Sequence, residues 1–344
     1  MLCLVSPESR VPAEHPLRAM RALADAALAA LSDDFDAMYA GVGRPSVPPE
    51  RLLKASLLLA LYSVRSERQL CEQLEYNLLF RWFLDMDMLE PAFDATTFSK
   101  NRARLMEHDI CAAFFATVRE QARDLMSRDH FSVDGTLLEA WASMKSFRPK
   151  TDTDSDSNGW ADFRGQKRRN DTHESKTDPE AKLFRKGRGR EAKLSYAGHA
   201  LMENRNGLLV DVRVTEASGY AEREAALMMV EEHLPVGATL GADRGYDTRD
   251  FVAGCREART TPHVAQNQHA RRRSAIDGRT TRHVGYEISQ TIRKRIEQVF
   301  GWFKTVGGLR RTRFRGRRKT QDAAYIVGTA YNLMRIAKLR RATR

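Results

Sequence analysis

The chain is 344 residues long, 42% apolar and 30% charged, with a net charge of +12. That length suffices for two or three domains with a sizeable core, and the composition is that of a globular protein. No run approaches the ~20 apolar residues of a membrane span, and Leu57 to Tyr62, the longest, reads as a core helix.

The N-terminal stretch MLCLVSPESR lacks a basic region followed by an apolar one, so a cytoplasmic location is expected. Cys3, Cys71, Cys111 and Cys255 show no paired spacing. They read as reduced thiols, not as a zinc site or disulfide framework.

Residues 16–128 read as mostly helical. Leu17, Met20, Leu23, Ala24 and Leu28 recur at helical spacing. Pro48-Pro49-Glu50 opens a helix carrying Leu52, Leu53, Leu57, Leu58 and Leu61, and Ser66 to Gln69 is a capping-box pattern. Asp94 caps a basic helix with Phe98, Arg102 and Leu105. A short helix, a turn and this capped helix resemble a helix-turn-helix, which would place Lys100, Arg102 and Arg104 on DNA. A plain helical bundle used for dimerisation shows the same pattern.

The apolar run Phe131-Ser132-Val133 ends on Asp134. Residues 146–192 turn polar, with Gly159, Gly165, Gly187 and Gly189, and read as a long surface insertion. His173 and Glu174 within it read as solvated. Residues 193–216 form a hairpin turning at Asn206-Gly207. A helix follows over 221–233, then a strand ending at Asp243, a helix over 248–258 and a short strand at Pro262 to Ala265. This order predicts an α/β layer with a mixed sheet. Residues 271–285 read as a basic loop.

The last amphipathic helix runs from Ile292 to Lys304, with Ile292, Ile296, Val299, Phe300 and Phe303 as its buried stripe. Arg293, Glu297 and Lys304 share another face. From Lys304 to Arg344 there are 13 Lys and Arg against one acid, Asp322, while the rest of the chain is balanced. A localised basic patch suits a polyanion such as nucleic acid, or serves as a solvated surface.

In α/β sheets, ligands gather beyond the carboxyl ends of strands. Asp134 and Asp243 are expected there, with Gly135 and Gly245 turning the backbone away. Either alone reads as a turn or helix cap. Together with Glu297 they make a donor set for hard divalent cations, which serve phosphodiester cleavage. The bland reading of Glu297 is an Arg293–Glu297 pair worth only ~0.3–0.5 kcal/mol.

At these residues the chain resembles the DDE transposases of bacterial insertion sequences, in the insertion sequence 4/5 superfamily and nearer the insertion sequence 5 family. The matching stretches are SERQLCEQLEYNLLFRWFL (66–84), DATTFSKNRARL (94–105), FSVDGT (131–136), HALMENRNGLL (199–209), GADRGYD (241–247) and SQTIRKRIEQVFGWFK (289–304). The resemblance implies a ribonuclease-H-like catalytic domain over 129–344, preceded by a helical domain over 1–128 for DNA binding or dimerisation. It implies a catalytic, metal-binding triad of Asp134, Asp243 and Glu297, with two ions, Mg²⁺ or Mn²⁺. Its basic helper positions fall on Arg293 and Lys304. Further DNA contacts are expected from Arg244, Tyr246, Arg310, Arg311 and Arg313.

The family's usual tyrosine three residues before that arginine is here Gln290, with Tyr286 four residues earlier. The implied partners are the terminal repeats and target DNA, bound by a homodimer or higher multimer near the nucleoid. The expected reaction is end cleavage followed by attack of the freed 3′-hydroxyl on target DNA. The competing readings are an inactive DNA-binding regulator and a nuclease that does not join.

Overall fold

The computed structural model describes residues 6–38, 47–151, 168–187, 189–268 and 273–342. Two compact units divide the chain. The first comprises 1–126, 302–308 and 325–344, and the second 127–301 and 309–324.

Eight helices open the chain: α1 (Pro7–Arg10), α2 (Pro16–Ala29), α3 (Ser32–Met38), α4 (Pro49–Leu61), α5 (Glu67–Tyr76), α6 (Leu78–Phe83), α7 (Ala95–Glu107) and α8 (Ile110–Glu120). Leu52, Leu53, Leu57, Leu58, Phe80, Phe83, Phe98 and Phe114 form the buried interior of this unit. Ser66 caps α5 by accepting from the Gln69 amide at 3.1 Å, and Asp94 caps α7 by accepting from the Thr96 and Thr97 amides at 2.8 Å. The helix-turn-helix expectation fails on its connector. Residues 84–94 separate α6 from α7, far longer than the three- or four-residue turn of that motif.

The second unit holds the sheet: β1 (His130–Glu139), β2 (Phe147–Pro149), β3 (His173–Ser175), β4 (Lys182–Phe184), β5 (Lys193–Glu203), β6 (Leu209–Glu216), β7 (Thr239–Ala242) and β8 (Thr261–Val264). Between and after these strands run α9 (Ala221–His233), α10 (Arg249–Glu257), α11 (Gly278–Thr281), α12 (Val284–Ile292), α13 (Ile296–Thr305) and α14 (Arg317–Ala342). β5 pairs antiparallel with β1 and β6, while β7 and β8 run parallel to β1. The sheet therefore reads β6-β5-β1-β7-β8, with short β4 on β5 beside β6. Three antiparallel strands followed by two parallel ones, with helices in the crossovers, are the expected ribonuclease-H-like arrangement. β2 and β3 pair as a separate ribbon within the polar insertion, whose Gly159 and Gly165 lie outside the described residues.

Phe131 and Val133 of β1 point to one face and join Leu240, Ala242, Met229, Val230, Phe251 and Val252 in the core under α9 and α10. Alternation puts Ser132 and Asp134 on the other face.

Within the first unit, the Tyr325 ring lies 5.7 Å from that of Phe115, and Arg340 donates to the Gln121 carbonyl at 2.8 Å. The C-terminal part of α14 thus groups with the helical unit. Cys71, Cys111 and Cys255 are buried and unbridged. Among the described residues, no helix is long and apolar enough to cross a membrane.

Candidate active site

β1 and β7 set the geometry. Their parallel register pairs Phe131 with Leu240 and Ser132 with Gly241. Continuing that register by two residues brings Asp134 towards Asp243, one residue past the end of β7, and the charge of Asp243 bears on Asp134. The two differ from expectation in one respect: Asp134 does not end its strand, since β1 continues to Glu139. The partner ends instead. β7 stops at Ala242, and beyond it Asp134 has no strand neighbour on that flank.

Each aspartate spends one oxygen on its own backbone. Asp134 Oδ1 accepts from the Gly135 amide at 2.8 Å, and Asp243 Oδ1 from the Gly245 amide at 2.7 Å. The latter bond caps the turn Arg244–Tyr246. The second oxygen of each makes no hydrogen bond among the described residues. Burial pushes the Asp134 carboxyl up to about 7, with the charges of Asp243 and Glu222 adding and the Gly135 amide and Lys186 opposing.

Glu297 lies on α13, exposed, its carboxylate unpaired among the described residues. The approach to it differs from the continuous helix expected. α12 ends at Ile292, and Arg293–Arg295 form a 3₁₀ turn before α13 begins. Arg293 therefore does not pair with Glu297. Its Nε donates to Gln290 Oε1 at 2.9 Å, and its Cβ lies 3.2 Å from where a β-carbon on Gly241 would be. The glycine lets this turn approach β7 on the face that carries the two aspartates.

α12 is fastened to the sheet by side chains whose part the sequence left open. Tyr286 Oη donates to the Val264 carbonyl at 3.0 Å, and Gln290 Nε2 to the His263 carbonyl at 2.7 Å. Ser289 Oγ lies 2.6 Å from His263 Nδ1 and 2.8 Å from His130 Nε2, linking β8, α12 and β1. These contacts fix the turn that leads to Glu297.

The basic segment after α13 joins β1 directly. The Glu139 amide donates to the Arg310 carbonyl at 3.0 Å, and the Thr312 amide to the Glu139 carbonyl at 2.8 Å. Arg311 donates from Nε to the Ala140 carbonyl at 3.2 Å and from Nη2 to the Trp141 carbonyl at 2.7 Å. Odd-numbered residues of β1 direct their amides towards β7, so residues 310–312 occupy the same flank as β7. Asp134 faces the gap between them, about 17 Å along the strand from Glu139. Arg310, Arg311, Arg313 and Arg244 are exposed.

Not all of the expected DNA contacts are surface groups. Tyr246 is fully buried, its ring 5.1 Å from that of Phe251, and cannot meet a duplex. Arg102 turns inward, pairing with Glu67 and lying 5.7 Å over the Phe98 ring. Lys100 and Arg104, four residues apart on α7, are exposed. Lys304 lies on α13 in a segment grouped with the first unit. Arg271 and Arg272 of the basic loop lie outside the described residues.

Two residues near the aspartates escaped the sequence reading. Glu222 opens α9, and Lys186 follows β4; both bear electrostatically on Asp134. A signal for Glu222 existed. β6 runs parallel to β1, so the helix following it starts at the sheet end where Asp134 lies.

Among the described residues, one cluster of metal-ligand type is closely spaced, and it lies away from these carboxylates. Ligand atoms of Asp211, Glu232 and His233 lie within 4.8 Å of one another. Arg213 pairs with both Asp211, at 2.7 Å, and Glu232, so these carboxylates already share a cation of the protein.

Comparison with known proteins fits this geometry. No curated protein sequence matched. Two solved structures align over most of the chain. A pre-cleavage Mos1 transpososome is 9% identical, with 89% of this chain and 81% of that chain covered and a TM-score of 0.21. A Mos1 strand transfer complex is 12% identical, with 92% and 84% covered and the same score. At that score they bear on neither fold nor chemistry. Two families match more firmly. The family described as "Transposase domain (DUF772)" matches residues 5–104. "Transposase DDE domain" matches residues 128–333, which include β1, β7 and α13 with all three expected carboxylates. The chain belongs to the DDE transposases, enzymes that cleave DNA and transfer its strands.

Proposed function

We propose that this chain cleaves the ends of an insertion sequence and joins the freed 3′-hydroxyl to target DNA, with Asp134, Asp243 and Glu297 as its catalytic carboxylates. The observation that supports this most is the placement of Asp134 on β1 and of Asp243 just past the end of neighbouring β7, close enough for their charges to act on each other, within the matched family domain. The family's dependence on divalent metal fits the donor set. Both aspartates keep one oxygen free of protein hydrogen bonds, and carboxylate oxygen is the donor that hard cations prefer. Two ions, Mg²⁺ or Mn²⁺, would activate the attacking hydroxyl and steady the leaving oxygen. No serine, tyrosine or cysteine nucleophile is then required.

The protein's own part is positioning. Asp134 and Asp243 are held by their backbone bonds, and Glu297 is carried on a helix whose preceding turn is fastened to β7 and β8. The exposed Arg310, Arg311 and Arg313, beside β1, together with Arg244, suit a phosphate track. Arg293 extends it in this reading, and Lys304 is proposed as a separate basic contact to DNA. Two element ends must be held together for joining, which suits a homodimer or higher multimer.

The test is a supercoiled plasmid carrying the DNA that flanks the reading frame. Metal-dependent nicks at the element boundary, followed by joined product, are expected. Cleavage without joining would make the chain a nuclease. Binding without cleavage would make it a regulator.

A further inference from the structure

Gly135 follows Asp134 and, by alternation, faces α9. A β-carbon on Gly135 would lie 2.7 Å from both Cγ and Oε1 of Glu222. A side chain there would have to displace the Glu222 carboxylate, which fills the space. The glycine therefore acts as a window. Asp134 and Asp243 stand on one face of the sheet, and Glu222 reaches the same point of β1 from the other. Arg223, the next residue, ties this helix start to the turn after Asp243 by donating to the Gly245 carbonyl at 3.4 Å.

A second observation points to a ligand here. The Tyr246 hydroxyl is buried and has no hydrogen-bond partner among the described residues. Burial holds it protonated, and the charges of Glu222, Asp134 and Asp243 add to that effect. An orphaned donor thus sits within reach of the fields of all three carboxylates. Glu222 is open to solvent on one side and crowded on the other. That crowding raises its pKa, and the charge of Asp243 raises it further. The ligand atoms of the three do not all fall within 4.8 Å of one another. A cation between them would offset the repulsion of their charges.

We infer that Glu222 is a fourth carboxylate of the metal centre, binding a divalent cation together with Asp134 and Asp243. This rests on the proposed function, in which those aspartates are metal ligands. Lys186, exposed after β4, bears on both Asp134 and Glu222, and Arg223 also bears on Glu222.

The experiment is Mn²⁺ titration of the full chain without DNA, followed by electron paramagnetic resonance and calorimetry. Glu222→Gln should weaken Mn²⁺ binding about 10–100-fold. Glu224→Gln, an exposed neighbour on the same helix, should bind as wild type. Without metal, Glu222→Gln should melt no lower than wild type, because it removes a charge that Asp243 repels. Wild-type Mn²⁺ affinity in Glu222→Gln, with loss in Asp134→Asn, would overturn the inference and leave the triad standing. Wild-type affinity in both would overturn the triad as well. A Glu222→Gln chain that melts well below wild type in the absence of metal would mark the residue as structural and also overturn the inference.

Discussion

Asp134 lies on β1 and Asp243 one residue beyond the end of its parallel neighbour β7, each holding its own following loop or strand through one oxygen and keeping the other free. Removing one charge at constant volume should therefore disable the pair without unfolding it. Asp134→Asn and Asp243→Asn are each expected to lower metal-dependent cleavage by at least 10³-fold, and Glu297→Gln likewise. DNA affinity by gel shift should change less than threefold. Near-normal cleavage by any one variant removes that residue from the site.

The arginine segment beside β1 is expected to act through phosphate. Substituting Arg310, Arg313 and Arg315 by alanine should weaken binding to all duplexes alike. The log–log salt slope should fall by about 0.9 for each phosphate no longer neutralised. The Arg311 guanidinium is held by the Ala140 and Trp141 carbonyls, so Arg311→Ala should also lower the melting temperature. A slope unchanged in the triple variant would make the segment a solvated surface.

On α7 the three basic residues should separate. Arg102 is committed to Glu67, and Arg102→Ala should destabilise the chain by roughly 1.5–3 kcal/mol, the worth of a hydrogen bond to a charged group. Lys100→Ala and Arg104→Ala should leave stability within about 0.5 kcal/mol. Their loss should weaken binding to element ends if α7 meets DNA. End preference unchanged in that double variant would leave α7 a dimerisation or core helix.

His199 gives the fold an acid limit. Burial, aided by the charge of Arg213, holds its pKa down at about 4 against an ordinary 6.5. As pH falls below about 6.5 the unfolded chain takes the proton first. The stability is complete above that value and is lost progressively down to about 4. His199→Gln can keep a hydrogen bond to Thr215, which now lies 2.8 Å from His199 Nε2. The difference between wild type and this variant in urea midpoint should shift against wild type across that window and stay constant above pH 7. A pH-independent difference would refute the assignment.

Much of this architecture was legible because periodicity and turn chemistry are local. The Asn206-Gly207 hairpin, the Asp94 cap and α9 came directly from residue pattern. What stayed hidden depends on contacts between distant segments. Nothing in residues 131–136 says that β1 runs on past Gly135, because that continuation is held by pairing with residues 195–199 and 310–312. Tyr246 beside Arg244 looked like part of a surface motif; only packing on Phe251 shows that it is core. The 3₁₀ turn at Arg293 was invisible because its cause, close approach to Gly241, lies some 50 residues away in sequence. Glu222 went unnoticed for the same reason, its link to Asp134 depending on the absence of a side chain at Gly135.

Whether Asp134 and Asp243 hold the catalytic cation is best decided by exchanging donor softness. Asp134→Cys and Asp243→Cys place a thiolate where an oxygen stood, and thiolate binds Mg²⁺ poorly but accepts the softer Mn²⁺ better. Strand cleavage of the flanking-DNA plasmid should vanish in Mg²⁺ for both variants and recover in part in Mn²⁺. Wild-type cleavage by either variant in Mg²⁺ would refute the assignment of that carboxylate to the cation.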